Sequence, residues 1–155
     1  MVRSFRYDRS MPRIRRYTAS DPDLAQRILS QTLIEAERVG WQAVRLARVA
    51  DSLGVPLSVV YQHYRDADAL AEAWLTQADR AMLAPAAKGF ASRPPAERIA
   101  LVIQRWLDAL AGQRRVTGQM LLGKLYPGHP HHLAALVFRL SRTVQWIREA
   151  ARLDA

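Results

Sequence analysis

Cysteine is absent from the 155 residues, which removes disulfide frameworks, zinc–thiolate sites and cysteine nucleophiles from consideration and fits a reducing, cytoplasmic setting. Long apolar runs are also missing. The longest, Leu133 to Phe138, falls far short of the ~18 residues a membrane-spanning helix needs. No apolar block near the start has the makings of a secretory signal core. Acidic residues are scarce beside basic ones: 14 Asp and Glu stand against 23 Lys and Arg, and all but Lys88 and Lys124 of the cations are Arg. Such a surplus favours polyanionic partners, either nucleic acid or an anionic membrane surface. Half the residues are hydrophobic, an ordinary globular balance that excludes wholesale disorder.

The positive charge is unevenly spread. Residues 24–80 hold six Arg against seven acids, whereas residues 81–155 hold eleven cations against four acids. Residues 1–20 carry Arg3, Arg6, Arg9, Arg13, Arg15 and Arg16, no helical apolar stripe, and Pro12. They read as a disordered arm that orders only on a partner, with Arg13, Arg15 and Arg16 as possible contacts. An Arg-rich, acid-poor start also has the composition of a mitochondrial presequence, and a plain solvated tail has it too.

From residue 20 onward the chain is helical. Asp21-Pro22-Asp23 opens a helix with a capping Asp and Pro at the first helical position. Leu24, Ile28, Thr32 (or Leu33) and Ala36 then hold the period until Gly40. A short segment from Val44 to Ser52 turns Leu46, Val49 and Ala50 inward. Leu53-Gly54-Val55 makes a tight turn for which Gly54 supplies positive φ. Pro56 opens a third helix with Leu57, Val60, Tyr61 and Tyr64 on one stripe, and Asp66 caps a fourth through Leu70, Trp74, Ala78 and Met82. Pro85, Gly89, Pro94 and Pro95 mark a connector. Further helices span roughly 96–111, 113–126 and 133–151. No strand periodicity is sustained anywhere, so the fold class is all-α.

Three short helices with a Gly turn between the second and third form a helix-turn-helix candidate. The run Gly40-Trp41, Val49-Ala50, Leu53-Gly54-Val55, Val60-Tyr61-Gln62-His63-Tyr64-Arg65 and Ala69-Leu70 resembles the amino-terminal DNA-binding domain of TetR-family transcription regulators over about residues 24–75. That resemblance implies a DNA-binding domain over 21–84. It also implies a helical effector-binding and dimerisation lobe over 96–155, truncated or joined to its twin differently, since relatives continue beyond the last helix. Operator DNA, a second copy of the chain and a small apolar effector are the implied partners; no cofactor or metal is.

By the same resemblance Tyr61 and His63 touch the sugar-phosphate backbone, while Leu57, Ser58, Val59 and Gln62 face base edges. Gln62 suits a bidentate pair with adenine, and Val59 or Leu57 suits a thymine methyl. The chain departs from the family pattern at three places. Pro56 stands where a polar cap is common. Val44 replaces a phosphate-gripping Thr, a task Arg45 beside it could take. Ala67, between Asp66 and Asp68, replaces a backbone-contacting Lys. Trp106, Met120, Leu121, Phe138 and Trp146 supply apolar bulk that reads as core by default and, in a regulator of this kind, lines an effector cavity with Gln119 or Lys124 as polar anchors.

Plainer readings apply to several of these positions. Tyr64 lies at core spacing, Tyr61 is divided between packing and contact, and His63 also fits an ordinary half-exposed surface histidine. Arg139, Arg142, Arg148 and Arg152 read as a solvated helix face. His129, His131 and His132 share a proline-fixed surface loop without a carboxylate, which argues against a metal site. No phosphate-cradling loop, nucleophile elbow or framed carboxylate pair supports catalysis. A second reading remains: a lipid- or quinone-binding protein similar to the ubiquinone-biosynthesis family that shares the TetR fold, whose last helix resembles Thr143-Val144-Gln145-Trp146 onward.

Overall fold

The computed structural model describes residues 22–124 and 130–153, and among them every regular element is a helix. The Arg-rich arm, Asp21 and His129 lie outside the described residues. Helix α1 (Pro22–Val39) buries Leu24, Ile28, Leu29, Thr32, Leu33 and Ala36 along one stripe, so Thr32 and Leu33 both face inward. Its Thr32 hydroxyl donates to the Ile28 carbonyl at 2.8 Å, which satisfies a buried polar group within the helix. Gly40, at φ 86°, ends the helix by donating its N–H to the Ala36 carbonyl at 2.8 Å. A 3-10 turn, Trp41–Ala43, then leads to α2 (Leu46–Leu53).

The turn between α2 and α3 (Leu57–His63) is built as the sequence predicts. Gly54 sits at φ 64°, ψ 34°, its N–H reaching the Ala50 and Asp51 carbonyls, and the Val55 N–H also bonds the Ala50 carbonyl at 3.1 Å. These bonds satisfy two of the last carbonyls of α2, and the buried Val55 seals the turn from outside. Pro56 takes the cap position of α3 without a side-chain bond; its carbonyl closes the first turn by accepting from the Val59 N–H at 2.9 Å. A polar cap is therefore dispensable here. Helix α4 (Ala67–Met82) begins at Asp66, whose carboxylate accepts from the Ala69 N–H at 2.8 Å.

The connector holds a 3-10 turn, Phe90–Ser92, whose Phe90 is buried. Helix α5 (Pro95–Leu110) starts with Pro95 in its first turn, and a third 3-10 turn, Ala111–Gln113, passes into α6 (Arg114–Lys124). Helix α7 runs Pro130–Ala150 and so begins three residues before the expected Leu133. Proline is tolerated at the first helical position, where its missing N–H has no partner to lose. His131 and His132 accordingly belong to the first turn of α7 and not to a surface loop.

Two apolar cores organise these elements. The larger joins α1 to α4 with the end of α5 and with α6, through Leu24, Ile28, Val49, Val60, Leu70, Trp74, Leu110, Val116 and Met120 among others. The smaller joins the end of α4, Phe90, α5 and the end of α7, through Met82, Val102 and Ala151. Helix α6 thus completes the core on which the helix-turn-helix rests, although it lies more than fifty residues further along the chain.

Candidate nucleic-acid interface

Helix α3 is seven residues long and cannot hold itself together in water; its packing fixes it. Val60 is fully buried beneath it and Val59 leans on the same core. At its end the Tyr64 hydroxyl donates to the Ala25 carbonyl of α1 at 3.1 Å, which pins α3 to α1. Burial raises the Tyr64 phenol above its ordinary range. Tyr64 is therefore a packing residue, as its spacing implies.

Anchoring by Val60 and Tyr64 turns Leu57, Ser58, Tyr61 and Gln62 outward together, four residues on one exposed face of α3. Tyr61 keeps 64% of its surface and Leu57 half, unusual values for residues with no packing task. Val59 is half-buried, so it presents less of its side chain to any groove than its neighbours do. His63 is half-buried too. Its Nε2 is enclosed with no hydrogen-bond partner among the described residues, and the ring has to turn before that nitrogen can meet a phosphate.

Cationic support comes from α2. Arg45, at the cap position, and Arg48 are both exposed, and the Arg45 guanidinium donates to the neighbouring Val44 carbonyl at 3.2 Å. Arg48, three residues on, adds a cation that the family resemblance does not mark; the i, i+3 spacing was its signal. The acids at the start of α4 have local employment. The backbone N–H of Ala69 holds the Asp66 carboxyl below the usual carboxylate range, and Arg65 pairs with it at 3.0 Å. Much of its charge is thus spent on the positive end of α4.

The five apolar residues assigned to an effector cavity do not meet in one. Met120 is buried in the larger core, with Trp106 and Leu121 packed against it. Phe138 is 73% exposed on α7, and of the five only Trp146 lines the groove between α4 and α7. Gln119, expected as a polar anchor, is engaged elsewhere: its Oε1 accepts from the Trp41 N–H at 2.7 Å, tying α6 to the turn that precedes α2.

Arg139 corrects the solvated-face reading of α7. It is buried, and its guanidinium bridges two carboxylates of α4, donating to Glu72 Oε2 at 2.6 Å and Asp79 Oδ2 at 2.8 Å. The other oxygen of Asp79 accepts from Trp106 Nε1 of α5 at 2.9 Å, so one carboxylate joins three helices. Arg139 lies on the inward stripe of Leu136 and Thr143, both buried. Arg142, Arg148 and Arg152 are exposed as expected. No group of three or more potential metal ligands clusters among the described residues, and no helix among them is long and apolar enough to cross a membrane.

No protein-family model and no curated protein sequence matches the chain. Among solved structures it is similar to the TetR transcriptional regulator from Nitrosomonas europaea ATCC 19718, with 42% identity over 84% of this chain and 74% of that one, and a TM-score of 0.77. Likeness of that extent takes in more of the chain than α1 to α4 alone, so it reaches past the helix-turn-helix on which the sequence resemblance rested. With the left-handed Gly54 turn and the outward face of α3 already in place, it establishes that the chain belongs to the TetR family of transcriptional regulators.

Proposed function

We propose that the chain is an operator-binding repressor that acts as a homodimer in the cytoplasm and is released by a small-molecule effector. The observation that carries this reading is the outward face of α3. Leu57, Ser58, Tyr61 and Gln62 are exposed together on a helix whose other side is locked to the core, which is what insertion into a major groove requires. Gln62 pairs with adenine, Ser58 bonds a base edge, Leu57 meets a thymine methyl, and Tyr61 reaches the backbone. His63 joins it after its ring turns, and Val59 adds edge contact from its half-buried place. Arg45 supplies phosphate charge beside α3. Arg13, Arg15 and Arg16 are the arm's candidates for further phosphate contacts.

A dimer needs a second surface, and α7 offers one. Val137, Phe138, Leu140 and Val144 are exposed apolar residues on that helix, a density uncommon on a solvated face. A helix packed on its symmetry mate there presents two α3 helices to one face of DNA, with half-sites one helical turn apart or a multiple of it. Similarity to a transcriptional regulator at 42% identity supports this reading over lipid carriage.

Genome-wide selection of DNA fragments by the purified full chain tests the proposal, with a two-fold symmetric motif as the expected product. On that motif Gln62→Ala should lose roughly 1–3 kcal/mol and relax preference at one base pair per half-site. Recovery of fragments without a shared motif, or a sequence-blind loss in Gln62→Ala, would take α3 out of the groove.

A further inference from the structure

A groove of about 440 Å³ lies between α4 and α7, lined by Glu72, Thr76, Asp79, Arg80 and Leu83 on one side and by Arg139, Arg142 and Trp146 on the other. Its charges divide into two sets. Arg139 and the two carboxylates are engaged with one another at the floor, a single cation between two anions: both oxygens of Asp79 are taken, one by Arg139 and one by Trp106, and Arg139 also holds Glu72. Arg80 and Arg142 are exposed at the rim, and neither has an ion-pair or hydrogen-bond partner among the described residues. Beside them Leu83 and Trp146 keep 41% and 49% of their surface in water. The groove therefore offers two uncommitted guanidiniums, one contributed by each helix, next to an aliphatic and an aromatic surface.

We infer that this groove is the effector site and that its ligand is an amphipathic organic anion: a carboxylate held between Arg80 and Arg142, with an apolar body laid on Leu83 and Trp146. This rests on the reading of the chain as an effector-released regulator and names the ligand class for it. Guanidiniums are suited to carboxylate because their planar donors match its two oxygens. A cationic ligand has less to gain, since the rim guanidiniums repel it and the acids at the floor are already engaged by Arg139. The volume falls in the range of ordinary small-molecule sites and accommodates a body of one or two rings. Binding there joins α4 to α7, and α4 comes after α3 with only Tyr64, Arg65 and Asp66 between them, so the site bears directly on how α3 is held.

Calorimetric titration of the full chain with 1-naphthoate, 1-naphthalenemethanol and 1-naphthylmethylammonium provides the test, because the three share a ring system and differ in charge. Naphthoate should bind, the neutral alcohol at least about tenfold more weakly, and the ammonium not measurably. Arg80→Gln/Arg142→Gln should weaken naphthoate about tenfold and remove the salt dependence of its binding. Trp146→Ala should weaken both naphthoate and the alcohol, and Arg27→Gln, an exposed change on α1, should leave all titrations as they are. Circular dichroism establishes that each variant is folded, which surface substitutions of Arg80 and Arg142 allow. Failure of naphthoate to bind, equal binding of alcohol and anion, or unchanged binding in the double variant overturns the site. Titration needs no DNA, so its failure is separate from that of the operator reading: a protein that selects a symmetric motif yet ignores naphthoate loses the site only, and one that binds naphthoate without selecting DNA loses the regulator only.

Discussion

The two ends of α4 are held by different physics. Its first half enters the larger core, where Leu70, Ala71, Trp74 and Leu75 meet apolar residues of α1, α2, α3 and α6, and removal of nonpolar surface from water is the main force. Its second half packs on α5 across a much smaller apolar cluster. On the side of α4 turned to α5 and α7 the Arg139, Glu72, Asp79 and Trp106 network, which begins at Glu72 and ends at Asp79, spans the helices. Apolar packing is non-directional and tolerant, whereas a bridged guanidinium has one good geometry and an alternative for every competing ion. The first arrangement suits a rigid platform for α3. The second suits a joint that a small molecule can reset, because the energy difference between two pairings of charged groups is modest even when each pairing is strong.

Removing the joint's central cation should have the largest effect. Arg139→Ala leaves two carboxylates facing each other in a partly buried place; breaking such pairs costs about 3–5 kcal/mol when fully enclosed, and with the Glu72 side chain 39% exposed about 2–4 kcal/mol is expected. Amide hydrogen exchange should show protection lost in α5, α7 and the second half of α4 before α1 to α3. Arg139→Met combined with Glu72→Gln and Asp79→Asn should recover much of the loss, since no unpaired charge then remains while Asn still accepts from Trp106. Uniform loss of protection along the chain would erase the distinction between platform and joint.

On the platform side the conformational constraint at Gly54 comes next. A Cβ there meets nothing within 4 Å, so a larger side chain has room, and the cost of Gly54→Val is set by φ 64° alone. Forcing a β-branched residue into that region costs about 1–2 kcal/mol. Gly54→Ala should cost less, and both should be read by urea denaturation. An unchanged midpoint in Gly54→Val would mean that the turn relaxes freely and that α3 is less rigidly set than the core implies.

Asp66 tests the point where platform and joint share a helix. Asp66→Ala deletes the cap of α4 and should cost about 1 kcal/mol. Because the bond from the Ala69 N–H holds its carboxyl below the ordinary range, the folded state favours the charged form. Its contribution is present above the unfolded pKa of about 3.9 and is lost as pH falls through the lowered folded value. The wild-type chain and Asp66→Ala should therefore differ at pH 7 and converge in strong acid. Parallel stability curves down to pH 2 would show that the cap does not stabilise through its charge.

The platform was legible in the sequence because its determinants are local. Gly40, Gly54 and Asp66 act within five residues of themselves, and the stripes Leu24-Ile28-Ala36 and Leu70-Trp74-Ala78 declare which face is inward. The joint was not, because its partners are separated by tens of residues. Arg139 reaches Glu72 and Asp79 from 67 and 60 positions away, and Gln119 reaches Trp41 from 78. An arginine looks the same in a sequence whether it is solvated or bridged. The sequence reading sets Arg139 with Arg142, Arg148 and Arg152 on a solvated face, because a charge is expected outside by default; only the burial of Leu136 and Thr143 shows that its side of α7 faces inward. The outward residues of α3 were found by family resemblance more than by pattern: periodicity placed Tyr61 on the apolar stripe, and the short length of α3 is what frees it.

The smallest effect belongs to the hydrogen bond from Tyr64 that joins α3 to α1. Tyr64→Phe removes the donor to the Ala25 carbonyl, and because that carbonyl sits inside α1, where the helical ladder also uses it, no acceptor is stranded. The expected loss is about 0.5–1 kcal/mol at neutral pH. Its pH dependence is more informative than its size. Burial raises the Tyr64 phenol, so the folded state favours the neutral form. That preference contributes fully below the unfolded pKa of about 10 and is lost as pH rises through the folded value. The wild-type chain should thus lose stability between pH 8 and pH 11 beyond what Tyr64→Phe loses. Urea denaturation at the two pH values gives the comparison directly. A gap that narrows or reverses in alkali places the hydroxyl in a dry contact, as expected for a platform made mainly of apolar surface. A gap that stays constant would mean that water reaches the Tyr64 oxygen, and that α3 is not sealed against α1.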